Sequence, residues 1–246
     1  MNYRTILFGE GLFETILWQG KTKKLLRHYE RLKNSAQFFH IPCPDFESFY
    51  RLIEEKAEKR KNIYVKYCLI SKGEGIYHSY PEESESLVII KDYKADLNPK
   101  KLFISSIKRH SRNPVIYHKT MNYLTNILAK REALLEGFDD SIMLNENDEI
   151  TECASSNILV VKGERLQTPA KESGLLSGTT LQILIEKANV KEERLKIEDL
   201  YTARAVFILN SLTGALPVSQ IMDKKYPFDN EILQYLNSLI DEENQP

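Results

Sequence analysis

A lysine is the residue in this chain whose company points to chemistry. Lys119 lies in Asn113-Pro-Val-Ile-Tyr-His-Lys-Thr-Met-Asn-Tyr-Leu124, after a proline-broken segment and at the mouth of a long helix-spaced apolar run. An amine projecting from such a place can serve as nucleophile or base. Glu152 offers a carboxylate where a strand ends at the small residues Cys153-Ala-Ser-Ser156. Ser177-Gly-Thr-Thr180 opens a helix, where unpaired N–H groups and the helix dipole attract an anion. Asn210-Ser-Leu-Thr-Gly214 leaves a strand with hydroxyls and a glycine, a second anion nest. Arg31 could add a countercharge. Each part also has an ordinary reading. Ser177-Gly-Thr-Thr180 reads equally as a helix cap, Glu152 as an exposed strand-end carboxylate and Thr213-Gly214 as a turn. Arg31 reads as a snorkelling side chain or a partner of Glu30, and a lysine as a solvated surface residue.

The elements that must position these groups are legible in the apolar spacing. Thr5 to Leu17 reads as strand, Gly9-Glu-Gly11 turn, strand, with a hairpin turn at Gln19-Gly20-Lys21. Helices are predicted over His28–Phe39 and Phe46–Arg60, strands over Ile63–Ser71 and Leu87–Ile90. Residues 1–92 are thus expected to form a small α+β domain and 93–100 a polar linker containing Pro99, with 101–246 a larger domain. In the latter a strand is expected over Lys101–Ile107. A helix from Met121 should turn Met121, Leu124, Leu128 and Leu135 inward and end at Gly137. A hairpin with its turn at Asn145–Asp148 delivers Glu152. Strands follow over Ile158–Val161 and Arg204–Leu209, helices over Leu181–Ala188 and Asn230–Ile240, and a tail from Asp241 expected to fray.

Composition narrows the function classes. With Lys+Arg 34 and Asp+Glu 35 in 246 residues, the net charge of −1 leaves no electrostatic footprint for nucleic acid or an anionic membrane. No run is long and apolar enough for a signal peptide or a transmembrane helix. The cysteines Cys43, Cys68 and Cys153 lie far apart, as in a reducing compartment, and neither they nor the histidines have metal-ligand spacing. A cytoplasmic protein without structural metal is expected.

Six stretches then carry a resemblance. They are Gly9-Glu-Gly-Leu-Phe-Glu-Thr15, His28-Tyr-Glu-Arg-Leu-Lys-Asn-Ser-Ala36, His118-Lys-Thr-Met-Asn-Tyr123, Ile150-Thr-Glu-Cys-Ala-Ser-Ser-Asn157, Leu166-Gln-Thr-Pro169 and Gly174-Leu-Leu-Ser-Gly-Thr-Thr180. In order and spacing the chain resembles the fold-type IV pyridoxal-phosphate enzymes, which include branched-chain and D-amino-acid aminotransferases and aminodeoxychorismate lyases. The resemblance implies a two-domain α+β fold, with a small α/β N-terminal domain and a larger mixed β/α C-terminal one, assembled as a homodimer. It implies pyridoxal 5'-phosphate held by Lys119 as a Schiff base, with Glu152 facing the pyridine nitrogen. Arg31, Thr179, Thr180 and Ser211 would bind the phosphate, and Tyr123 would approach the ring hydroxyl.

Within that family, Asn210-Ser-Leu-Thr-Gly-Ala-Leu-Pro-Val218, Val65-Lys-Tyr-Cys-Leu-Ile-Ser-Lys-Gly73 and Arg112-Asn-Pro114 are similar to the lyases. The small-molecule reaction implied is cleavage of 4-amino-4-deoxychorismate to 4-aminobenzoate and pyruvate, a step in folate synthesis. An aminotransferase of branched-chain or D-amino acids is the first alternative, and a non-catalytic domain binding a phosphate-bearing ligand is the second. Leu181 and Leu159 depart from the family pattern, Lys72 replaces an arginine, and the strand usual before the Gly-x-Gly loop is missing.

Overall fold

The computed structural model describes residues 3–245. The chain divides into two compact units. The first takes the chain up to Lys94, then His118–Asn122, then the last residues from Glu243; the second takes Ala95–Tyr117 and Tyr123–Glu242.

In the first unit, α1 (Arg4–Phe8) precedes β1 (Gly11–Trp18), α2 (Lys23–Phe38), α3 (Phe46–Ala57), β2 (Ile63–Lys72) and β3 (Glu83–Lys91). The strands form an antiparallel sheet in the order β1-β2-β3. Thr22 caps α2 by accepting the Leu25 N–H at 3.2 Å, and Asp45 caps α3 by accepting that of Ser48 at 2.8 Å. Leu25, Tyr29, Leu32 and Ala36 of α2 and Phe49, Ile53 and Ala57 of α3 recur at helical spacing, and all are buried against Val65, Tyr67 and Leu69 of β2.

Three expectations fail here. Ile6-Leu7-Phe8 is not a strand but lies in α1, closed by Gly9 at φ +70. Its polar residues fasten it. Arg4, 1% exposed, donates to the carbonyls of Glu74 and Ile76 at 2.7 and 2.8 Å, and Thr5 Oγ1 donates to the Glu10 carbonyl at 2.8 Å, while Ile6, Leu7 and Phe8 face outward. Gln19-Gly20-Lys21 does not close a hairpin. It leads into α2, which starts five residues earlier than expected, and the partner of β1 is β2 (Phe13 opposite Cys68, Thr15 opposite Lys66). The tail is tied down: Glu243 is buried and accepts from Arg27 Nε at 3.0 Å, and the Lys23 N–H reaches the Gln245 carbonyl.

The second unit contains β4 (Lys100–Ile104), a 3-10 turn (Pro114–Tyr117), α4 (Leu124–Leu135), β5 (Asp140–Leu144), β6 (Ile150–Cys153), β7 (Asn157–Lys162) and β8 (Arg165–Pro169). Then come α5 (Thr179–Lys187), β9 (Lys191–Glu193), α6 (Ile197–Thr202), β10 (Ala205–Asn210), β11 (Gly214–Ile221), β12 (Lys224–Lys225) and α7 (Asn230–Asp241). One mixed sheet runs β6-β5-β4-β11-β10-β7-β8-β9, with β12 on β11. Strand alternation sends Ile158 and Val160 into the core on one face and Leu159 and Val161 into that on the other. A sheet buried on both faces explains the unbroken apolar runs of β7 and β10.

Helix α4 differs from its expected form. It begins at Leu124, not Met121, and buries Asn126, Ala129 and Ala133. Leu124, Leu128 and Leu135 are exposed (59%, 44% and 87%), so the leucine stripe read as inward faces out. The strand expected to reach Ile107 stops at Ile104. Strand β11, which runs parallel to β4 beside it, went unread in the sequence.

Candidate active site

In the first unit, strand β1 positions the lysine. The Lys119 carbonyl accepts the Phe13 N–H at 3.0 Å, the Met121 N–H reaches the Gly11 carbonyl at 2.7 Å, and Thr120 bridges to Leu12. Lys119 therefore rides on an extended segment alongside β1, five residues ahead of α4, and not on the mouth of the helix. Its Nζ lies 4.6 Å from the centroid of the Phe13 ring, and Lys66 Nζ lies 4.3 Å from the same centroid. Next to it, His118 Nδ1 meets Ser35 Oγ at 3.0 Å and the ring stacks on Phe38. Ser35 is one helical turn beyond Arg31 on α2, so the lysine segment and the arginine are anchored to one helix face.

Arg31 is paired neither with Glu30 nor with solvent alone. Its Nε donates to Glu14 Oε1 at 2.8 Å and its Nη2 to Glu14 Oε2 at 2.6 Å, a bidentate pair. His28 Nδ1 lies 2.7 Å from Glu14 Oε2. Glu14 is fully buried. Burial pushes its carboxyl up, but the Arg31 charge and the hydrogen bonds from Arg31 and His28 outweigh that and bring it down to about 2. Burial also pulls the His28 imidazole below its ordinary value, against the raising effect of Glu14. His28 therefore stays neutral, and its Nδ1–H donates to the carboxylate.

In the second unit, Glu152, the α5 start and the Asn210–Gly214 turn are joined by hydrogen bonds. Glu152 is buried on β6. Arg109 Nη1 donates to its Oε1 at 2.6 Å and Asn157 Nδ2 to its Oε2 at 3.1 Å. The same Asn157 amide donates to the Leu176 carbonyl at 2.8 Å. A Cβ on Gly178 would stand 2.0 Å from Asn157 Oδ1, so only glycine lets the backbone pass here. Helix α5 starts right after it, at Thr179, with no side chain capping its first N–H groups. Thr179 and Thr180 are buried, and Thr180 Oγ1 has no hydrogen-bond partner.

Across the sheet, Asn210 Oδ1 accepts the N–H groups of Leu212 and Thr213 at 2.9 and 3.0 Å, and its Nδ2 approaches Ser156 Oγ at 3.4 Å. Ser211 lies in this turn, where Thr213 Oγ1 is buried without a partner. Tyr123 Oη donates to the Ala154 carbonyl at 3.1 Å, as does Asn126 Nδ2 at 2.8 Å.

Thus the sequence-predicted residues fall into two sets. Lys119 and Arg31 belong to the first unit; Glu152, Thr179, Thr180, Ser211 and Tyr123 belong to the second. Sequence reasoning missed Arg109, because an arginine in an irregular segment carries no spacing signal. It missed the pairing role of Glu14 and Asn157, although both stand inside the quoted motifs. A buried hydroxyl left unpaired at an uncapped helix start, and another in the Asn210–Gly214 turn, are costly in a protein meant to stay as it is. They suit an anionic ligand with several acceptor oxygens. A buried carboxylate braced by an arginine and an amide suits a protonated ring nitrogen, and a half-buried lysine suits an aldehyde. The donor set fits pyridoxal 5'-phosphate. Among the described residues no group of three or more His, Cys, Asp or Glu is placed to hold a metal, and no helix is long and apolar enough to cross a membrane.

The family model described as amino-transferase class IV matches residues 11–221. A candidate branched-chain-amino-acid aminotransferase of Methanocaldococcus jannaschii is 28% identical over 234 residues, covering 88% of this chain and 80% of that protein. The D-alanine aminotransferase of Listeria monocytogenes serotype 1/2a is 27% identical over 250 residues, covering 93% and 86%. The crystal structure of a candidate 4-amino-4-deoxychorismate lyase from Legionella pneumophila superposes with a TM-score of 0.92 at 28% identity, covering 99% of this chain and 94% of that one.

Proposed function

We propose, since this chain belongs to the class IV aminotransferase family, a pyridoxal-phosphate-dependent family, that it cleaves 4-amino-4-deoxychorismate to 4-aminobenzoate and pyruvate. The likeness to the Legionella protein over nearly the whole of both chains carries the lyase reading. The lyase-like run Asn210–Val218, whose Asn210 side chain builds the turn bearing Ser211 and Thr213, supports it.

When bound, pyridoxal 5'-phosphate supplies an electron sink for the carbon that loses its proton. This chain's residues do the rest. Thr179, Thr180 and Ser211, with the first N–H groups of α5, bind the phosphate, and Arg31 adds its planar fork of donors. Glu152 is oriented from both sides by Arg109 and Asn157 and holds a proton at the ring nitrogen. Tyr123 serves the ring hydroxyl. Lys119 holds the group by its aldehyde carbon. With its amine free, it would take the proton from the carbon beside the substrate amine. The electron pair left behind would break the bond from the ring to the enolpyruvyl oxygen, and the departing enol would take up a proton to become pyruvate as the ring becomes aromatic. A cytoplasmic homodimer accompanies this reading.

The Methanocaldococcus and Listeria relatives favour a second reading, an aminotransferase of branched-chain or D-amino acids. Both reactions are assayed on one preparation. Release of 4-aminobenzoate without an amino acceptor is expected; amino transfer to 2-oxoglutarate or pyruvate as the sole activity would sink the lyase reading. Borohydride reduction of cofactor-saturated protein and peptide mapping should find a pyridoxyl group on Lys119, and K119A should lose about a thousandfold in kcat. An unmodified Lys119 would leave only a phosphate-ligand-binding domain.

A further inference from the structure

Arg31 is a flexible side chain on a helix, yet two bonds to one carboxylate fix it. The guanidinium is planar, and Glu14 takes Nε and Nη2, the two donors along one edge. Parallel bonds of this kind set both the plane and the direction of the group, and turn its other edge away from Glu14. Glu14 is itself immobile, buried on β1 at 0% exposure and held from its other side by His28 Nδ1 at 2.7 Å. The His28 ring is 1% exposed, and its Nε2 has no hydrogen-bond partner. A neutral imidazole buried with one nitrogen idle is costly unless the other nitrogen has a task, and His28 Nδ1 is bonded to Glu14.

We infer that Glu14, braced by His28, is a positioning residue that aims Arg31 at the cofactor phosphate. This inference rests on the reading that Arg31 binds that phosphate. It has an unusual corollary. The Glu14 charge offsets that of Arg31, so the arginine recognises phosphate by the direction of its N–H groups and not by net charge. Removing the Glu14 carboxylate would strengthen electrostatic attraction for phosphate, but it also removes the bidentate pair that sets the plane of the guanidinium. Positioning predicts weaker binding and simple charge predicts tighter binding, so the sign of the effect separates the two.

The test compares the affinity of the full chain for pyridoxal 5'-phosphate with that for pyridoxal, which lacks the phosphate. Taking the ratio removes effects on Lys119 and the ring site, which a merely structural role of Glu14 would move in both ligands alike. E14Q and E14D are expected to cut the preference for the phosphorylated form about tenfold, with pyridoxal binding held within about twofold. R31K, which keeps the charge and loses the fork, should fall nearly as far as R31A. An unchanged or raised preference in folded E14Q or E14D, with the preference lost in R31A, overturns the inference alone. A preference kept in R31A as well removes the phosphate role of Arg31 on which it rests. Should neither Glu14 variant fold, H28L removes the donor to Glu14 without adding a buried polar atom. It is expected to lower the preference about threefold, and an unchanged preference in it is equally fatal.

Discussion

Glu14 ties the stability of the first unit to acid. Its carboxyl titrates at about 2 in the folded protein against 4.5 ordinarily, because the pull of Arg31 and His28 exceeds the penalty of burial. A depressed carboxylate contributes stability that is complete above pH 4.5 and is lost as the pH falls towards about 2. The amount at stake is on the order of 3 kcal/mol. His28 acts in the same direction, since its lowered value lets the unfolded chain take up a proton first on acidification. Urea unfolding of the wild type from pH 6 to about 2.5 should therefore show a steep acid loss, and E14Q a lower plateau with a flatter slope. Equal slopes would mean that Glu14 is not the group responsible. At this scale motifs singled out Lys119, Arg31 and Glu152 as candidates. Their partners were not legible. Arg109, ten residues before Lys119, meets Glu152 only because the chain folds back across the sheet.

At the scale of elements, the start of α5 concentrates the features proposed to bind an anion. The sequence suggests a helix from Leu181, but the first turn includes Thr179 and Thr180, which places both side chains and their N–H groups at the uncapped end. Thr180 Oγ1 is buried and unpaired without a ligand. T180V keeps the shape and removes the orphan. The cofactor-free protein should gain about 1 kcal/mol, while affinity for pyridoxal 5'-phosphate falls about tenfold, read by thermal melting with and without the cofactor. A variant that binds the cofactor as tightly as the wild type would take Thr180 out of the phosphate site. Elements were misread where polar residues do the anchoring. Periodicity scores apolar side chains, and α1 is held by Arg4 and Thr5 while its apolar residues face outward. Helix α4 errs likewise, packing on Asn126, Ala129 and Ala133, small or polar residues that a leucine stripe outshouts.

For the whole molecule, that exposed stripe carries a prediction. Leu124, Ile127 and Leu128 are exposed together on one face of α4, and the family resemblance implies a homodimer. Sedimentation should find the wild type dimeric and L124E/L128E monomeric; an unaltered dimer would place the interface elsewhere. The residue types and apolar periods of the sequence determined an α+β reading, and the order of its motifs carried the resemblance to the class IV family. Those features are local, and side-chain chemistry and helix or strand spacing can be read within a few residues. Which unit each segment joins was decided by tertiary structure alone. Lys119 leaves its flanking residues to bridge with β1, and the last turn of chain returns to Arg27. Pairings such as Arg31 with Glu14 or Arg109 with Glu152 depend on strand register and on which face a side chain takes, quantities fixed only when distant strands are hydrogen-bonded together.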